Sequence, residues 1–463
     1  MPESEYRRAL DSLYRRRRFG MRPGLEVVTA LLRELGDPQQ SFRALHVTGS
    51  KGKGSVSAMA ASALRGTGRR TGRFTSPHLV SFRERIEVDG APIPTSGVVE
   101  GLRAVEDASE RLERSGQVDR APTFFEAVTV LAFDWFRRQR VEQAVVEVGI
   151  GGRLDSTNVL RSAVGVVTTV ELEHVEILGP TVADIAREKA GILHRGLTGV
   201  VGTLPPAALE EVRRRARAEG VPLWELGREI HVDGRELEPA GQRFTVRTPH
   251  GAVSLLLPFL GSFQPANAAL AIAAVQRFGE AEGLLLDPDT IRRGLEATRW
   301  RGRMERVARK PDLYLDAAHT PESAQAVADS FAEISPFLDP GENALLFGCL
   351  GDKPVERILD RLAPLARTLV AVTPASERST PAAEVARRAV GLFPMCVTAG
   401  SVRDGLALAR SATASGGFTL VTGSDYLVGE VLRLVEGGGE DEPDLSDPVR
   451  APLDGKGRTS GEP

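Results

Sequence analysis

The first residues that could carry chemistry form a string of glycine, lysine and serine near the N-terminus. Residues 49–55 read GSKGKGS, and they lie between an apolar segment that favours a strand, 44–47, and a segment that favours a helix, 56–64. This order predicts phosphate binding, because backbone N–H groups converge in such a turn and the helix N-terminus carries a partial positive charge. Lys53 can reach the outer phosphates, and Ser55 can face them or their metal ion.

The same string has a second interpretation. The general nucleotide-binding pattern places lysine directly before serine or threonine, whereas Gly54 separates Lys53 from Ser55 here. A flexible glycine turn before an ordinary helix therefore remains the alternative to a phosphate site.

Polar side chains also follow three other predicted strands. Ligands of parallel sheets lie beyond the carboxyl ends of the strands, so these side chains are expected to meet residues 49–55 at one edge. The side chains are Ser76 after strand 72–75, Glu147 at the end of strand 143–148, and His174 after strand 163–170.

A carboxylate in an apolar strand is costly unless it is paired or binds a cation, so Glu147, His174 and Ser76 are candidates for a divalent metal site beside the phosphates. Mg²⁺ prefers oxygen ligands and few protein contacts, which makes a histidine ligand unusual. The alternatives are a salt bridge from Glu147 to an arginine such as Arg153, and an ordinary loop position for His174.

Six more polar residues have both a functional and a structural interpretation. Lys189 lies on a predicted helix, 181–193, and by periodicity alone it is one exposed lysine among others. Asp316 and His319 flank a strand-to-helix turn, where they either cap the turn or contact a ligand. Gln264 and Asn267 either cap a helix or recognise a base. Arg303 either forms a surface ion pair or reaches a phosphate.

The elements that must position these residues alternate between apolar strands and helices. This alternation predicts an α/β fold with a mostly parallel sheet and flanking helices. Residues 230–257 alternate in polarity and carry turn residues, which predicts a small antiparallel insertion. Near residue 300 the strand and helix pattern restarts, so we expect a smaller C-terminal α/β domain of Rossmann-like type.

The predicted domains follow from these patterns. We place them at residues 1–296 and 297–437, with residues 438–463 expected to be a disordered tail, because that end is acidic and then rich in Pro, Gly and Ser.

The composition of the chain argues against some classes of protein. The chain has 463 residues, 41% of them hydrophobic, and 59 Lys and Arg against 62 Asp and Glu, a net charge of −3. This balance argues against a protein that coats nucleic acid or an anionic membrane. Two cysteines, no apolar run long enough to span a bilayer and a charged N-terminus predict a soluble cytoplasmic protein. The Arg15–Arg18 run favours a solvated helix face over a nucleic-acid contact.

Six strings in this order resemble folylpolyglutamate synthase and dihydrofolate synthase, a family of the Mur ligase superfamily, and the resemblance extends from about residue 24 to residue 436. Besides residues 49–55, they are 74–79 (FTSPHL), 123–126 (TFFE), 147–158 (EVGIGGRLDSTN), 187–192 (REKAGI) and 421–430 (VTGSDYLVGE). The order and spacing of the strings also match those of the family.

The resemblance implies a role for each candidate residue. The ATP phosphates would be held by Gly52, Lys53, Gly54 and Ser55, and Mg²⁺ by Ser76, Glu147 and His174. Lys189 would be N-carboxylated and help to hold a second metal ion. Asn267, Arg303 and Asp316 would contact ATP, and His319 would lie near the transferred phosphate or the incoming glutamate. The pterin would contact Thr123, Phe124, Phe125, Glu126, Leu154, Asp155 and Ser156.

The chain departs from the family pattern at four positions. Lys51 stands where the family usually has Asn, and Phe263 stands where it usually has His. Glu173 replaces the usual Asp before the metal-site histidine, and Thr320 replaces the Asn of a His-Asn-Pro string. The departures at Lys51 and Thr320 concern substrate handling more than the class of reaction.

We therefore expect an ATP-dependent ligase that adds L-glutamate to dihydropteroate, tetrahydrofolate or both through an acyl phosphate, with Mg²⁺ as cofactor. No nucleic acid or membrane partner is expected, and the protein is expected to be a monomer. The alternatives are a sister Mur-type ligase for another acid, a non-catalytic nucleotide-binding regulator, and a P-loop kinase.

Overall fold

The structure is a computed structural model, and it describes residues 3–16, 24–238, 240–284, 286–334, 342–414 and 416–437. The predicted tail, 438–463, and Arg17 and Arg18 of the arginine run lie outside these residues. Fifteen helices are found within the described ranges. They are α1 (Glu3–Arg15), α2 (Glu26–Glu34), α3 (Lys53–Arg65), α4 (Thr95–Arg114), α5 (Phe124–Arg138), α6 (Val175–Leu178), α7 (Val182–Lys189), α8 (Pro206–Glu219), α9 (Gln264–Ala281), α10 (Pro288–Glu296), α11 (Pro321–Ile334), α12 (Val355–Leu362), α13 (Ala382–Arg388), α14 (Val402–Ala412) and α15 (Asp425–Glu436).

Seventeen strands of the described chain form three sheets. They are β1 (Arg43–Thr48), β2 (Thr71–Phe74), β3 (Ile86–Val88), β4 (Ala91–Pro92), β5 (Gln143–Glu147), β6 (Val164–Val167), β7 (Thr198–Val201), β8 (Leu223–Glu225), β9 (His231–Glu238), β10 (Gly241–Thr248), β11 (Gly251–Leu257), β12 (Glu305–Ala308), β13 (Asp312–Leu315), β14 (Ala344–Phe347), β15 (Thr368–Ala371), β16 (Met395–Thr398) and β17 (Phe418–Thr422).

The largest sheet has eight strands in the order β4-β3-β2-β5-β1-β6-β7-β8. Six neighbouring strands, in the order β2-β5-β1-β6-β7-β8, run parallel, and β3 and β4 add an antiparallel edge. Its central strands are buried on both faces, as expected for a parallel sheet covered by helices. Since β2, β5, β1 and β6 are neighbours, the loops after them meet at one edge of the sheet.

Two core clusters cover the faces of this sheet. Helices α3, α9 and α10 pack on one face, and helices α2, α4 and α5 pack on the other. Helix α9 is rich in alanine and nearly wholly buried, so its backbone can approach α3 closely. The central helix α3 is thereby fixed on both sides, and its N-terminus points to the strand ends.

The antiparallel insertion is confirmed as a three-stranded sheet in the order β11-β10-β9. One face of β10 and β11 contributes Phe244, Val246, Val253 and Leu255 to the same core cluster as α3 and α9. The other face is exposed. This insertion therefore extends the N-terminal core.

The C-terminal part has a six-stranded sheet in the order β12-β13-β17-β14-β15-β16. Five neighbouring strands, in the order β13-β17-β14-β15-β16, run parallel, and β12 is an antiparallel edge strand. The predicted α/β class, with a mostly parallel sheet and a smaller C-terminal α/β part, is confirmed. The exact domain limits, 1–296 and 297–437, stay a prediction; residue 297 lies between α10 and β12.

Contacts join the two parts around the strand ends. Leu79, from the loop after β2, packs in the C-terminal core beside Leu427 and Val428. Ser262 donates its backbone N–H to Ser330 Oγ over 3.0 Å, and Arg235 of the insertion pairs with Glu333 of α11. These contacts place a C-terminal wall opposite the edge of the large sheet.

Within the described residues, no helix is long and apolar enough to cross a bilayer. Of the arginine run, the structure describes Arg15, the last residue of α1 and exposed, and Arg16, which continues the chain in a 3-10 conformation. Arg16 is mostly buried, with its guanidinium on Pro122 O and Glu106. The expected solvated helix face is therefore wrong for Arg16.

Candidate active site

A cleft of about 1060 Å³ separates the edge of the large sheet from the C-terminal sheet. Its lining combines the glycine-rich string after β1, the residues after β2, β5 and β6, and the turns after β13, β14 and β17. The predicted convergence of Lys53, Ser76, Glu147 and His174 at one edge is found, since all four line this cleft. Their chemical roles remain predictions.

The glycine-rich string is a rigid turn in this structure. Gly52 has φ +82°, and a Cβ there would lie 2.4 Å from Asn267 Oδ1; a Cβ on Gly54 would lie 2.5 Å from the Trp300 ring. Glycine is therefore required for both the backbone conformation and the close packing. Helix α3 begins at Lys53, three residues earlier than the sequence pattern indicated, so Lys53, Gly54 and Ser55 form its first turn.

The Lys53 side chain folds back over its own turn. Its Nζ donates to Gly49 O at 2.8 Å and to Ser50 O at 3.4 Å. The ammonium is thus held above converging N–H groups at the positive end of a helix, which is an arrangement suited to an anion. Ser55 lies buried in the same turn.

Glu147 is a buried carboxylate at the end of β5. It accepts the backbone N–H of Ser76 at 3.3 Å, and no ion pair to it is present in the described ranges. Burial raises the pKa of Glu147 to about 7, and the nearby charge of Lys53 opposes that rise. The alternative salt bridge to Arg153 is wrong, because the Arg153 guanidinium pairs with Glu188 at 2.8 Å.

His174 initiates α6 with a left-handed backbone, φ +46°. Burial lowers its pKa to about 4; the carboxylate of Glu173 opposes this effect, and the charges of Lys53 and Lys189 add to it. The imidazole is therefore neutral at physiological pH, which is the form that binds metal ions.

The donor set of this corner fits Mg²⁺ in its usual mode. No three His, Cys, Asp or Glu side chains of the described chain are close enough together to hold a metal ion by themselves. Mg²⁺ sites commonly use one or two protein ligands and complete the shell with phosphate oxygens and water. The buried carboxylate of Glu147, beside the glycine-rich turn and without an ion pair in the described ranges, meets that need, so Glu147 is the strongest candidate for a protein ligand.

Lys189 is almost wholly buried at the end of α7, which contradicts an exposed surface position. Its Nζ donates to Glu173 Oε1 at 2.8 Å. Burial lowers the pKa of Lys189 to about 8, so a substantial neutral fraction exists near physiological pH. Burial alone would raise the pKa of Glu173, but the charges of Lys189 and Lys53 lower it to about 2.

On the opposite wall, Asp316 lies after β13 with both oxygens bound to backbone. Oδ2 accepts Met304 N–H and Oδ1 accepts Ala318 N–H, each at 2.9 Å. Burial raises the pKa of Asp316 to about 6, and Arg303 opposes the rise. Arg303 lines the cleft and contacts Asp425 at 3.4 Å. Asp316 thus fixes the turn that carries His319.

His319 shares this turn. Its Nδ1 lies 2.9 Å from Ala317 O, which makes Nδ1 the protonated nitrogen and leaves Nε2 as an acceptor. Burial lowers its pKa to about 4, and the charge of Lys51 adds to the effect. Asn267, on α9, contacts Gln264 Oε1 through its amide nitrogen at 3.1 Å and lies against Gly52.

The predicted pterin-binding strings divide into two groups. Thr123, Phe125 and the string Leu154–Ser156 line the cleft. Phe124 and Glu126 do not, because the Phe124 ring is fully buried in the hydrophobic core and Glu126 closes a capping box and pairs with Arg120. The expectation that these two residues contact the pterin is therefore wrong in this structure; their roles are in folding α5.

Several cleft residues were missed by the sequence patterns. Lys353 and Arg378 come from loops after β14 and β15, and Trp300 reaches Gly54 from the segment between α10 and β12. Loops after β14 and β15 were predictable as ligand loops from the parallel strands before them. Their side-chain identities carry no such signal, because arginine and lysine also cover ordinary surfaces.

The four departures from the family pattern have visible local contacts. Thr320 caps α11, with Ser323 N–H donating to Thr320 Oγ1 at 3.2 Å. Phe263 packs against the C-terminal core cluster, and Glu173 holds Lys189. Lys51 lines the cleft.

Comparison with known proteins gives two domain matches and several long relatives. Residues 47–275 match the Mur ligase middle domain, and residues 302–425 match the Mur ligase glutamate ligase domain. The folylpolyglutamate synthase of Lacticaseibacillus casei is 37% identical over 358 residues, which span 77% of this chain and 82% of that protein.

Two further similarities cover nearly the whole chain. The dihydrofolate synthase/folylpolyglutamate synthase of Bacillus subtilis is 31% identical over 441 residues, 93% of this chain and 99% of that protein. A crystal structure of Mycobacterium tuberculosis folylpolyglutamate synthase complexed with ADP and AMPPCP superposes with a TM-score of 0.86 at 33% identity, covering 94% of this chain and 99% of that one.

Proposed function

Because this chain belongs to the folylpolyglutamate synthase and dihydrofolate synthase family of the Mur ligases, we propose that it is an ATP-dependent ligase that joins L-glutamate to a folate or to its pteroate precursor. The acid is dihydropteroate, tetrahydrofolate or both. The products besides the amide are ADP and phosphate, and the protein acts as a monomer.

One observation carries this proposal: a phosphate-binding turn, a buried unpaired carboxylate and a neutral imidazole line one cleft opposite the turn that holds His319. Transfer of a phosphoryl group needs in-line positioning and neutralisation of charge more than covalent help from the protein. A buried cluster of preorganised donors supplies both.

In the first step, the substrate carboxylate attacks the γ-phosphorus of ATP and the bond to the β-phosphate oxygen breaks. The N–H groups of the 49–55 turn and the Lys53 ammonium hold the phosphates and offset their charge. The carboxylate of Glu147, with His174 and Ser76, holds Mg²⁺, which when bound supplies further neutralisation of the phosphate oxygens. The result is an acyl phosphate and ADP.

In the second step, the amine of glutamate attacks the acyl carbon and phosphate leaves. His319 lines the cleft, and its unprotonated Nε2 can accept a hydrogen bond from the amine. Asp316 and Arg303 hold the nucleotide from the C-terminal wall, and Asn267 holds it from α9.

Lys189 has the properties that N-carboxylation requires. A lysine reacts with carbon dioxide only as the free amine, and burial lowers the pKa of Lys189 to about 8. The carbamate would be an anion among the lysines of this corner and would help to hold a second metal ion. Thr123, Phe125, Leu154, Asp155 and Ser156 form the wall for the pterin.

Product analysis tests the proposal. The protein is incubated with ATP, Mg²⁺ and isotope-labelled glutamate, with dihydropteroate and tetrahydrofolate offered separately, and the products are weighed by mass spectrometry. We expect a product heavier by one or more labelled glutamyl residues and one ADP per amide bond. A phosphorylated product without an amide would instead identify a kinase, and amide formation only with another acid would identify a sister ligase.

A further inference from the structure

Lysine is scarce in this chain and concentrated at the cleft. Of the 59 lysine and arginine residues, six are lysines: Lys51, Lys53, Lys189, Lys310, Lys353 and Lys456. Lys51, Lys53 and Lys353 line the cleft, and Lys189 lies beneath it in contact with Glu173. Arginine supplies positive charge nearly everywhere else, so the compact ammonium group is used chiefly where the cleft needs a point charge.

Lys51 differs from the other cleft lysines in its contacts. Lys53 donates to Gly49 O, Lys189 to Glu173, and Lys353 lies 3.4 Å from Asp352. The Lys51 ammonium has no hydrogen bond and no ion pair in the part of the chain that the structure describes. A lysine that lines a cleft without a protein partner is a candidate to bind a ligand anion.

The backbone of Lys51 is nevertheless firmly held. Its N–H donates to Thr169 Oγ1 at 2.8 Å, and its carbonyl oxygen accepts the hydroxyl of Thr168 at 2.5 Å. Both threonines follow β6. The turn therefore fixes the start of the side chain while leaving its charged end to the cleft.

The charges around Lys51 come from both walls. Glu171, Glu173 and Lys53 lie on its own side, and Lys353 lies on the C-terminal wall. Lys51 and Lys353 repel each other across the cleft in the absence of an anion. An anion between the walls would remove this repulsion and favour their approach.

We propose that Lys51 is a further catalytic residue, whose ammonium binds the phosphoryl group while that group passes from ATP to the substrate carboxylate. This inference depends on the proposed ligase function. The carboxylate oxygen forms a bond to the γ-phosphorus, the bond from that phosphorus to the β-phosphate oxygen breaks, and ADP leaves with the electron pair. Lys51 contacts a non-bridging oxygen throughout and transfers no proton.

Two features favour the phosphoryl group as the anion. Lys51 belongs to the turn that holds the phosphates and stands two residues before Lys53, so the two ammonium groups begin on the same short loop. Lys51 also lines the cleft close enough to Lys353 of the C-terminal wall for the two charges to interact. Lys53 holds the nucleotide phosphates, and Lys51 meets the phosphoryl group as it leaves.

Nucleotide affinity tests the contact without requiring turnover. Calorimetry in the presence of Mg²⁺ compares ADP with AMPPCP, which carries a γ-phosphonate, for the native protein and for Lys51→Met, Lys51→Asn and Lys51→Arg. We expect Lys51→Met and Lys51→Asn to weaken AMPPCP about tenfold and ADP less than twofold, while Lys51→Arg, which keeps the charge, recovers part of the loss.

A matched control is Lys310→Met, which removes an exposed lysine outside the cleft and should change neither affinity. Equal weakening of ADP and AMPPCP by Lys51→Met, or no change in either, would overturn the proposal. A selective rise in the KM for glutamate with unchanged AMPPCP affinity would also overturn it, because the anion would then be a glutamate carboxylate.

Turnover of the native protein separates this inference from the proposed function. If the native protein forms no glutamyl amide from any folate acid, the ligase function fails, whatever the binding data show. If the native protein forms the amide and Lys51→Met keeps the AMPPCP preference over ADP, only the role of Lys51 fails. With the amide formed, we expect Lys51→Met to lower kcat ten- to a hundredfold.

Discussion

The two walls of the cleft are built by the same kind of parallel sheet but differ in how several of their charged side chains are held. On the wall of the large sheet, Lys53, Glu147 and Lys189 are held by contacts inside that wall. On the C-terminal wall, Lys353 and Arg378 are partly exposed and share Asp352 at 3.4 Å. If Lys53 and Glu147 bind phosphate and metal as proposed, the first wall holds them in place beforehand, whereas Lys353 and Arg378 can exchange their contact with Asp352 for one with substrate.

This difference predicts which variants should lose catalytic rate and which should lose affinity for substrate. Groups fixed before substrate binds can stabilise a transition state without reorganising, so their removal should reduce kcat. Groups that become ordered with the ligand contribute mainly to affinity. Variants of the two walls test this division.

The largest effect is expected for Lys53→Met. The variant loses the ammonium above the phosphate turn, and we expect kcat to fall by about three orders of magnitude, with the fold unchanged in circular dichroism. ADP release measured with saturating substrates checks this. A fall of less than tenfold would show that the large-sheet wall is not the catalytic one.

Glu147→Gln is expected to have the next largest effect. Glu147 has no ion pair among the described residues, and removing its charge should raise the Mg²⁺ concentration for half-maximal activity about ten- to a hundredfold. A magnesium titration of activity measures it. Glu210→Gln, on the exposed face of α8, is the matched control and should leave the titration unchanged; an unchanged titration for Glu147→Gln would refute the metal assignment.

Asp316→Asn tests the C-terminal wall. An amide cannot accept both backbone N–H groups that Asp316 now binds, so the turn that carries His319 should loosen, at a cost of about 1–3 kcal/mol in the free energy of unfolding. We expect the KM for ATP to rise about tenfold with a smaller fall in kcat. A fall in kcat as large as that of Lys53→Met would remove the distinction between the walls.

The smallest effect concerns His46, in β1 beneath the phosphate turn. Burial lowers its pKa to about 3, and its Nε2 contacts Thr157 Oγ1 at 2.8 Å. The unfolded chain binds this proton near pH 6.5 and the folded chain does not, so stability is lost as pH falls from 6.5 towards 3. The loss is at most about 1.4 kcal/mol per pH unit.

The variant His46→Gln isolates the contribution of His46 to the pH dependence of stability. Glu147 and Asp316 have raised pKa values and act in the opposite direction, so the comparison must be the difference between the variant and the native protein. Denaturant unfolding at several pH values should give a flatter acid limb for the variant. Parallel curves would mean that His46 is protonated in the folded protein.

Much of the fold was predictable because its patterns are local. Helix α5 begins at Phe124 and ends at Arg138, and the Thr123 and Glu126 side chains that form its capping box have the spacing typical of a helix start. The antiparallel insertion was predictable from alternating polarity. Strands β7 and β8 were missed because they are short and sit beside charged segments that favour helices.

The candidate site was predictable only in part. Residues 49–55, Glu147 and His174 follow recognisable strands, so their common edge could be inferred. Phe124 could not be separated from Phe125 by sequence, because the direction of each side chain depends on how α5 packs against the sheet. The family resemblance supplied the roles of residues that the pattern left ambiguous.

By itself the sequence determined the element types, the parallel sheet and the glycine-rich turn, because these depend on hydrophobic periodicity and on backbone conformation within a few residues. Only the tertiary structure decided that Lys189 is buried against Glu173, that Arg153 pairs with Glu188 and not with Glu147, and that Lys51 lines the cleft. Those outcomes depend on burial and on charges that are distant in sequence, and these are defined only once the sheets have packed together.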